Sequence, residues 1–371
     1  MFTLQLMKTD RLYSLDLFRG ITMFLLVIEG SNLYSALLDY GPQQGILHGL
    51  ILQFHHHPWN GLRFWDLIQP FFMFIVGVAM AFSLKKRWSQ GQTWMQSFWH
   101  ILVRCLVLLL FGVILACGYR GQLTWALWNV LCQLSVTILI AFLIFKFPFR
   151  IQLLISLGLL LLTELLFRYA GIEGFDKPFV PDENFGSWMD MVLMGKLSGG
   201  HWVAINAIPT TAHTIWGVLA GKILQSPKSA MDKFWRLLIP GLIFLAVGYS
   251  MDWTGLTPII KRICTSSFVI ASGGWCLVGL ALCYWIADIK GYQKWGLIFV
   301  VVGMNPIFIY MFANTVGSQW LNSFMEIFTG GFLSWLGASE GTIQIANALI
   351  VFGMEWYLCY WLFRKKIFIK I

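Results

Sequence analysis

The sequence predicts an all-α polytopic membrane protein, with about ten transmembrane helices in one bundle and both termini cytoplasmic. Three observations predict it. Apolar residues make up 58% of the 371-residue chain and charged residues only 12%, whereas a soluble domain carries roughly a quarter charged residues. Mean hydropathy is +0.71. The 19 tryptophans and 31 phenylalanines suit aromatic belts at membrane interfaces. A net charge of +9 does not point to nucleic acid, because the basic residues sit in short segments between apolar runs.

A span needs roughly 20 apolar residues. Ten runs meet that need, at about 15–38, 62–84, 97–118, 123–145, 149–169, 201–224, 234–252, 265–287, 295–317 and 343–363. The first follows Lys8-Thr-Asp-Arg11 with no small-residue cleavage site after it, so it is read as an uncleaved span rather than a signal peptide. The connections alternate in charge. One set, from Lys8 and Arg11 through Lys85–Arg87 to Arg364–Lys370, holds seventeen basic residues. The other holds seven: Arg63, Arg120, Arg168, Lys177, Lys196, Lys261 and Arg262. The positive-inside rule puts the first set and both termini in the cytoplasm, which requires an even number of spans. Segments 39–61, 170–200 and 318–342 then face outward as loops that cap an outer cavity. The basic tail after Arg364 rests on the anionic inner leaflet. The seven cysteines include no Cys-x-x-Cys pair and fall mostly inside apolar runs, so they read as small buried side chains. No repeat or soluble domain is visible, and residues 1–371 form a single transmembrane domain.

The segment 54–68 carries the strongest chemical signal. Three histidines, Arg63 and Asp66 sit at the mouth of an apolar run, and ionisable groups entering a membrane helix are costly and usually functional. Asp66 in the second span and Glu29 in the first can meet His56 on the outer side of one helix pair. A histidine oriented by a carboxylate is a general base that works near neutral pH. Trp59, Asn60 and Arg63 then hold a polar acceptor beside it. The competing reading makes the histidines interfacial and Asp66 a helix cap or a partner of Arg63. Adjacent histidines point in different directions, so no metal is expected. At the inner end, Asp16 and Arg19 lie at the entry of the first span and Arg104 about two turns into the third. Two arginines at similar depth suit a phosphorylated ligand. The alternative is an Asp16–Arg19 pair at i, i+3 with Arg104 snorkelling to headgroups. Polar groups recur at Ile208-Pro-Thr-Thr-Ala-His213, where a proline interrupts the sixth span. They recur again at Lys261–Ser267, at Gly303-Met-Asn-Pro306 and at Glu355. Together they imply a polar interior running through the bundle.

Several of these segments carry a family likeness. Ser14-Leu-Asp-Leu-Phe-Arg-Gly20 is followed by His56-x-x-Trp59-Asn60-Gly61 and by Asp66-Leu-Ile-x-Pro70-Phe-Phe-x-Phe-Ile-x-Gly77. Ile208-Pro209 with Gly217-Val-Leu-Ala-Gly221, Pro258-x-x-Lys261 leading to Thr265-Ser-Ser-Phe-Val269, Gly303-Met304-Asn305 and the tail Lys366-Ile-Phe-Ile-Lys370 complete the pattern. In order and spacing the chain resembles the transmembrane acyltransferase family of heparan-α-glucosaminide N-acetyltransferase, bacterial branch. The resemblance covers most of the chain and implies acetyl-CoA as cosubstrate, bound from the cytoplasm, with acetyl transfer to an amino sugar or glycan on the far side. It implies a multi-pass protein of the bacterial cytoplasmic (inner) membrane, with no metal. His56 holds the position of the family's active histidine. Two departures stand out. Gln133 follows Val130-Leu-Cys132 where an arginine is frequent, and Glu29-Gly30 stands where the lysosomal enzyme has an asparagine.

The expected catalytic residues are therefore His56, Asp66 and Glu29, with Asp66 or Glu29 orienting the imidazole. His56 takes a proton from the acceptor, or forms a transient acetyl-histidine. Trp59, Asn60, Arg63, Lys261 and Asn305 are the expected acceptor-side residues, with Asn305 or Asn60 donating to the oxyanion. Asp16, Arg19, Arg104 and Ser266 are assigned to acetyl-CoA. Beyond the lipid bilayer and the acceptor, the only partner expected is a second copy; no nucleic acid is. The rivals are a transporter of sugars or lipid-linked glycan intermediates and a non-catalytic membrane partner.

Overall fold

The protein is described by a computed structural model over residues 12–369, so Lys8, Arg11 and Lys370, which entered the sidedness reading, lie outside the described residues. The helices in chain order are α1 (Tyr13–Gly30), α2 (Leu33–Tyr40), α3 (Gly45–Leu52), α4 (Ile68–Ser89), α5 (Trp94–Arg120), α6 (Val130–Leu143), α7 (Phe149–Tyr169) and α8 (Phe185–Met194). They continue as α9 (Ala207–Leu224), α10 (Ala230–Trp253), α11 (Ser266–Tyr284), α12 (Leu297–Gly303), α13 (Pro306–Phe312), α14 (Asn322–Trp335) and α15 (Glu340–Arg364).

All ten expected runs hold helix. Among the described residues, six helices are long and apolar enough to cross a bilayer, or up to eight if each bent pair counts as one span. The two that fall short have local causes. α6 has only 14 residues because Asn129 caps it late, its Oδ1 accepting from the Leu131 and Cys132 N–H groups. α9 carries Thr210, Thr211, His213 and Thr214 in its first half. The first run bends by 58° at Ser31–Asn32 and the ninth by 67° at Met304–Asn305. Pro306 opens α13, where its missing N–H costs nothing.

Two expectations need correcting. Pro209 does not interrupt the sixth span. It lies in the first turn of α9, where proline is tolerated. The polar set behind it is core packing, with His213 Nε2 bonded to Val269 O at 3.1 Å and Ser272 Oγ at 2.9 Å. The segment 318–342 is not an open loop: residues Ala313–Leu321 wind as a π-helix that runs into α14. The glycines and acids there lower hydropathy, yet Phe324, Phe328 and Phe332 repeat at helical spacing.

Burial separates an inner set from a ring. The apolar windows of Phe64–Ser89 and Ser266–Ile289 are 67% and 61% buried, against 22% for both Phe149–Tyr169 and Ala230–Trp253. α9 packs against α4, α6, α7 and α11 at the centre. The α4–α9 crossing is close because glycines face each other: a Cβ on Gly217 would overlap the Phe74 carbonyl, and one on Gly77 the Thr214 carbonyl. Small residues are how membrane helices approach this closely. Gly217→Ala should therefore cost about 1–3 kcal/mol through overpacking. Thermal unfolding of the detergent-purified variant tests this, and an unchanged melt would contradict it.

Candidate active site

The loop between α3 and α4 is built around Asp66, which sits in a short 3-10 turn, Phe64–Leu67, and whose side chain is 1% exposed. Its Oδ2 accepts the backbone N–H groups of Arg63 at 2.9 Å and His57 at 3.2 Å. Its Oδ1 lies 2.9 Å from His56 Nδ1. An ionised carboxylate only accepts, so the imidazole proton is assigned to Nδ1, which leaves the Nε2 lone pair free. Nε2 makes no hydrogen bond among the described residues, and the His56 side chain is 37% exposed. Arg63 Nη1 donates to the His56 carbonyl at 3.0 Å and steadies the same turn.

Gly61 explains the spacing of the histidine motif. Its φ is +141°, and a Cβ there would lie 2.6 Å from His57 Nε2, so only glycine fits. Its N–H donates to Ile259 O at 2.8 Å, and Asn60 forms an isolated antiparallel bridge with Ile260. This backbone contact brings in the loop after α10. That loop is folded by Thr265 Oγ1, which donates to Pro258 O at 2.7 Å and accepts from the Ile260 N–H at 3.0 Å. Lys261 Nζ consequently sits 3.1 Å from His56 Nδ1 and 3.6 Å from Asp66 Oδ1. Trp202 packs over the group, its ring 5.4 Å from both the His56 ring and Lys261 Nζ.

The charges are set by this enclosure. Burial, with the Lys261 charge beside it, lowers the His56 imidazole to about 4, against the upward pull of Asp66. His56 is therefore neutral at physiological pH. Burial also pushes the Lys261 ammonium below its usual range, against the Asp66 and Glu29 carboxylates. Asp190 on α8 accepts the Trp128 indole N–H at 2.6 Å and the Ala204 N–H at 2.9 Å. Burial lifts its carboxyl to about 6.

His56, Lys261, Glu29, Trp128 and Trp202 line a cavity of about 440 Å³, within the roughly 300–1,000 Å³ of small-ligand sites. A second cavity of about 120 Å³ is walled by Arg19 and Arg104. The two share Phe72, Val130 and Tyr310, so they abut. Their order is the same on four helices: Glu29 then Arg19 on α1, Trp65 then Ala79 along the α4 column, Tyr119 then Arg104 on α5, and Gln133 then Ile138 on α6. Tyr119 and Arg104 stand roughly 22 Å apart at 1.5 Å per helical residue, a large part of a hydrocarbon core of about 30 Å. The rings of Phe72 and Tyr310, 6.4 Å apart, stand at the junction.

The structure joins some expected residues and separates others. His56, Asp66 and Lys261 meet. Glu29 lines the cavity without orienting His56; its Oε1 accepts the Trp65 indole N–H at 3.1 Å. Trp59 does not reach the cavity, because its indole donates to Phe179 O at 2.8 Å and its ring stands against His201. Asn60 acts through its backbone bridge. Arg63 supports the His56 turn rather than a ligand. Asn305 is far from any oxyanion position: its Nδ2 donates to Ile367 O at 3.0 Å and its Oδ1 accepts from the Ile369 N–H at 2.8 Å, so it ties the tail to the α12–α13 break. That tie also holds the tail against the bundle. Ser266 bonds to Glu164 Oε2 at 2.9 Å on the histidine side and lines neither cavity. Asp16 pairs with Arg19 at 2.5 Å, and Arg19 Nε donates to Gly303 O at 2.8 Å. Arg104 makes no hydrogen bond or ion pair among the described residues, and its Nε is buried. Trp128, Trp202 and Asp190 carry no motif that singles them out. Gln133 lines the larger cavity, bonded to Asn206 at 2.5 Å and to Gln69.

A family model described as "Domain of unknown function (DUF5009)" matches residues 11–182. The chain is 26% identical to heparan-alpha-glucosaminide N-acetyltransferase of Homo sapiens over 97% of its own length and 60% of that protein's. It is 25% identical to the Mus musculus protein of the same name, over 98% and 61%. The chain thus spans about 60% of the length of these curated relatives. It is homologous to these N-acetyltransferases across nearly all of its own sequence.

Proposed function

Taking that homology as the premise, we propose that the chain is a transmembrane acyltransferase. It moves an acetyl group from acetyl-CoA, bound on the cytoplasmic side, to an amino sugar or related glycan at the opposite face. The observation that carries this reading is the neutral His56, its Nδ1 held by Asp66 and its Nε2 unengaged, on a cavity that abuts a second one walled by Arg104. Counting the ten helical columns as spans and applying the positive-inside rule puts His56 outside and Arg104 near the cytoplasm.

The chemistry then divides between the two ends. Arg104, with Arg19 on the same wall, supplies the positive charge that a CoA phosphate requires. The acyl arm passes between Phe72 and Tyr310. His56 Nε2 removes a proton from the acceptor as it attacks the thioester, and Asp66 stabilises the imidazolium that forms. Lys261 is a charged donor on that wall, in the place that Asn305 was expected to fill. Trp128 and Trp202 offer flat apolar faces to a sugar ring.

Arg104→Ala should weaken acetyl-CoA binding about 10- to 100-fold, the worth of a charged hydrogen bond at roughly 1.5–3 kcal/mol. KM for acetyl-CoA should rise with little change in kcat. Calorimetric titration tests this, and unchanged affinity would remove Arg104 from the site. The reading as a whole is tested by following the acetyl group of labelled acetyl-CoA onto glucosamine. A transporter would share the abutting cavities and bent helices. It needs no CoA, so purified protein left unstabilised by acetyl-CoA would favour it.

A further inference from the structure

Glu29 is the carboxylate in the larger cavity that the mechanism above leaves idle. Among the described residues only its Oε1 is engaged, by the Trp65 indole. Trp65 is itself buried and packed edge-on against Tyr34, with ring centroids 5.1 Å apart, so the carboxylate has a fixed direction. It forms no ion pair among the described residues. The groups facing it are Lys261 and His56 from the two loops, Tyr34 from α2, Tyr119 and Arg120 from α5, and Tyr310 from α13.

An amine acceptor arrives at neutral pH as an ammonium, and it must shed two protons to become an amide. His56 Nε2 has one lone pair, and that is committed to the proton lost during attack. The first proton needs another acceptor. We propose that Glu29 binds the acceptor's ammonium and takes that first proton, which makes the substrate a primary amine that enters as a cation; this rests on the acyltransferase reading. The Glu29 carboxylate and R–NH3+ give Glu29 carboxylic acid and R–NH2. The amine lone pair forms the C–N bond to the acetyl thioester. His56 takes the N–H proton and returns it to the departing thiolate as the C–S bond breaks. The products are the amide, the thiol and one proton on Glu29, which leaves to water at the His56 end. A carboxylate in this place favours amines over alcohols, because a hydroxyl brings no positive charge to it.

The test uses Glu29→Gln, which keeps an oxygen for the Trp65 indole. Binding is measured calorimetrically at pH 7 with glucosamine and with glucose, its uncharged counterpart. Wild type should prefer glucosamine at least tenfold, and the variant should bind the two equally. Equal binding by wild type, or an undiminished preference in the variant, would overturn the proposal. This arm needs no turnover, so it stands even where acetyl transfer is absent and the acyltransferase reading fails. Where transfer occurs, the variant's kcat/KM should be depressed at pH 7 and recover as pH rises and the free amine supplies itself. A uniform loss at every pH would mark Glu29 as structural and overturn the assignment.

Discussion

Replacing His56 with alanine should reduce acetyl transfer by about 10²–10⁴-fold, the usual worth of a positioned general base, while acetyl-CoA still binds. The two effects separate because His56 lies on the larger cavity and Arg104 on the smaller. The wild-type pH profile carries the same signature. His56 must be unprotonated to act, and its imidazole is lowered to about 4 by burial and by Lys261. Protonation removes the base, so the acid limb set by His56 should fall as pH drops through about 4, not through the ordinary histidine range. Lys261→Met deletes one of three causes, the others being burial and the Arg262 charge, so it should move that limb upward. A limb that stays in place in this variant would exclude Lys261 from setting the histidine's charge.

Asp66→Asn should be comparably damaging, up to roughly 10⁴-fold, the size of effect seen when the aspartate of a Ser-His-Asp triad becomes asparagine. The reason is the tautomer. The carboxylate accepts from two backbone N–H groups and from His56 Nδ1. In the variant the amide oxygen stays with the backbone donors and the amide NH2 faces Nδ1. The imidazole proton then moves to Nε2 and the base is lost. The fold should survive, since the shape and the backbone bonds are kept. Asp66→Ala is a different experiment: both variants leave Lys261 without the carboxylate at 3.6 Å, but alanine also strips the Arg63 and His57 N–H groups of their acceptor, at about 1–3 kcal/mol for each buried group left unpaired. Thermal melts beside kcat separate the two cases. An Asp66→Asn enzyme within threefold of wild type would exclude the orienting role.

Hydropathy located helix in all ten apolar runs, because a bilayer demands long apolar runs and little else imitates them, but it read the segments that hold α3, α8 and α14 as loops. It did not foresee the bend at Ser31–Asn32, where Asn32 takes a left-handed φ of 64° between two apolar stretches. Nor did it foresee the late start of α6, which leaves Trp128 in an irregular wall of the cavity. At the site, His56 and Asp66 were legible because they lie on one short segment. Lys261 was expected on the acceptor side, but its contact with His56, 205 residues away, was not legible, because it arises through the Asn60–Ile260 bridge, a backbone contact with no side-chain pattern. Trp128 and Trp202 were hidden among 19 tryptophans, which a membrane protein places at its interfaces for other reasons. Ser266 and Asn305 misled in the opposite way. Polar side chains at helix ends look like ligand contacts, and here they hold a neighbouring glutamate and the C-terminal tail.

The most direct measurement is CoA release from acetyl-CoA by purified protein, with and without glucosamine, for wild type and His56→Ala in parallel. Glucosamine-dependent release by wild type should fall by about 10²–10⁴-fold in the variant, with acetyl-CoA binding intact in both. Wild-type turnover by His56→Ala would contradict this, as would a wild type that neither binds acetyl-CoA nor releases CoA.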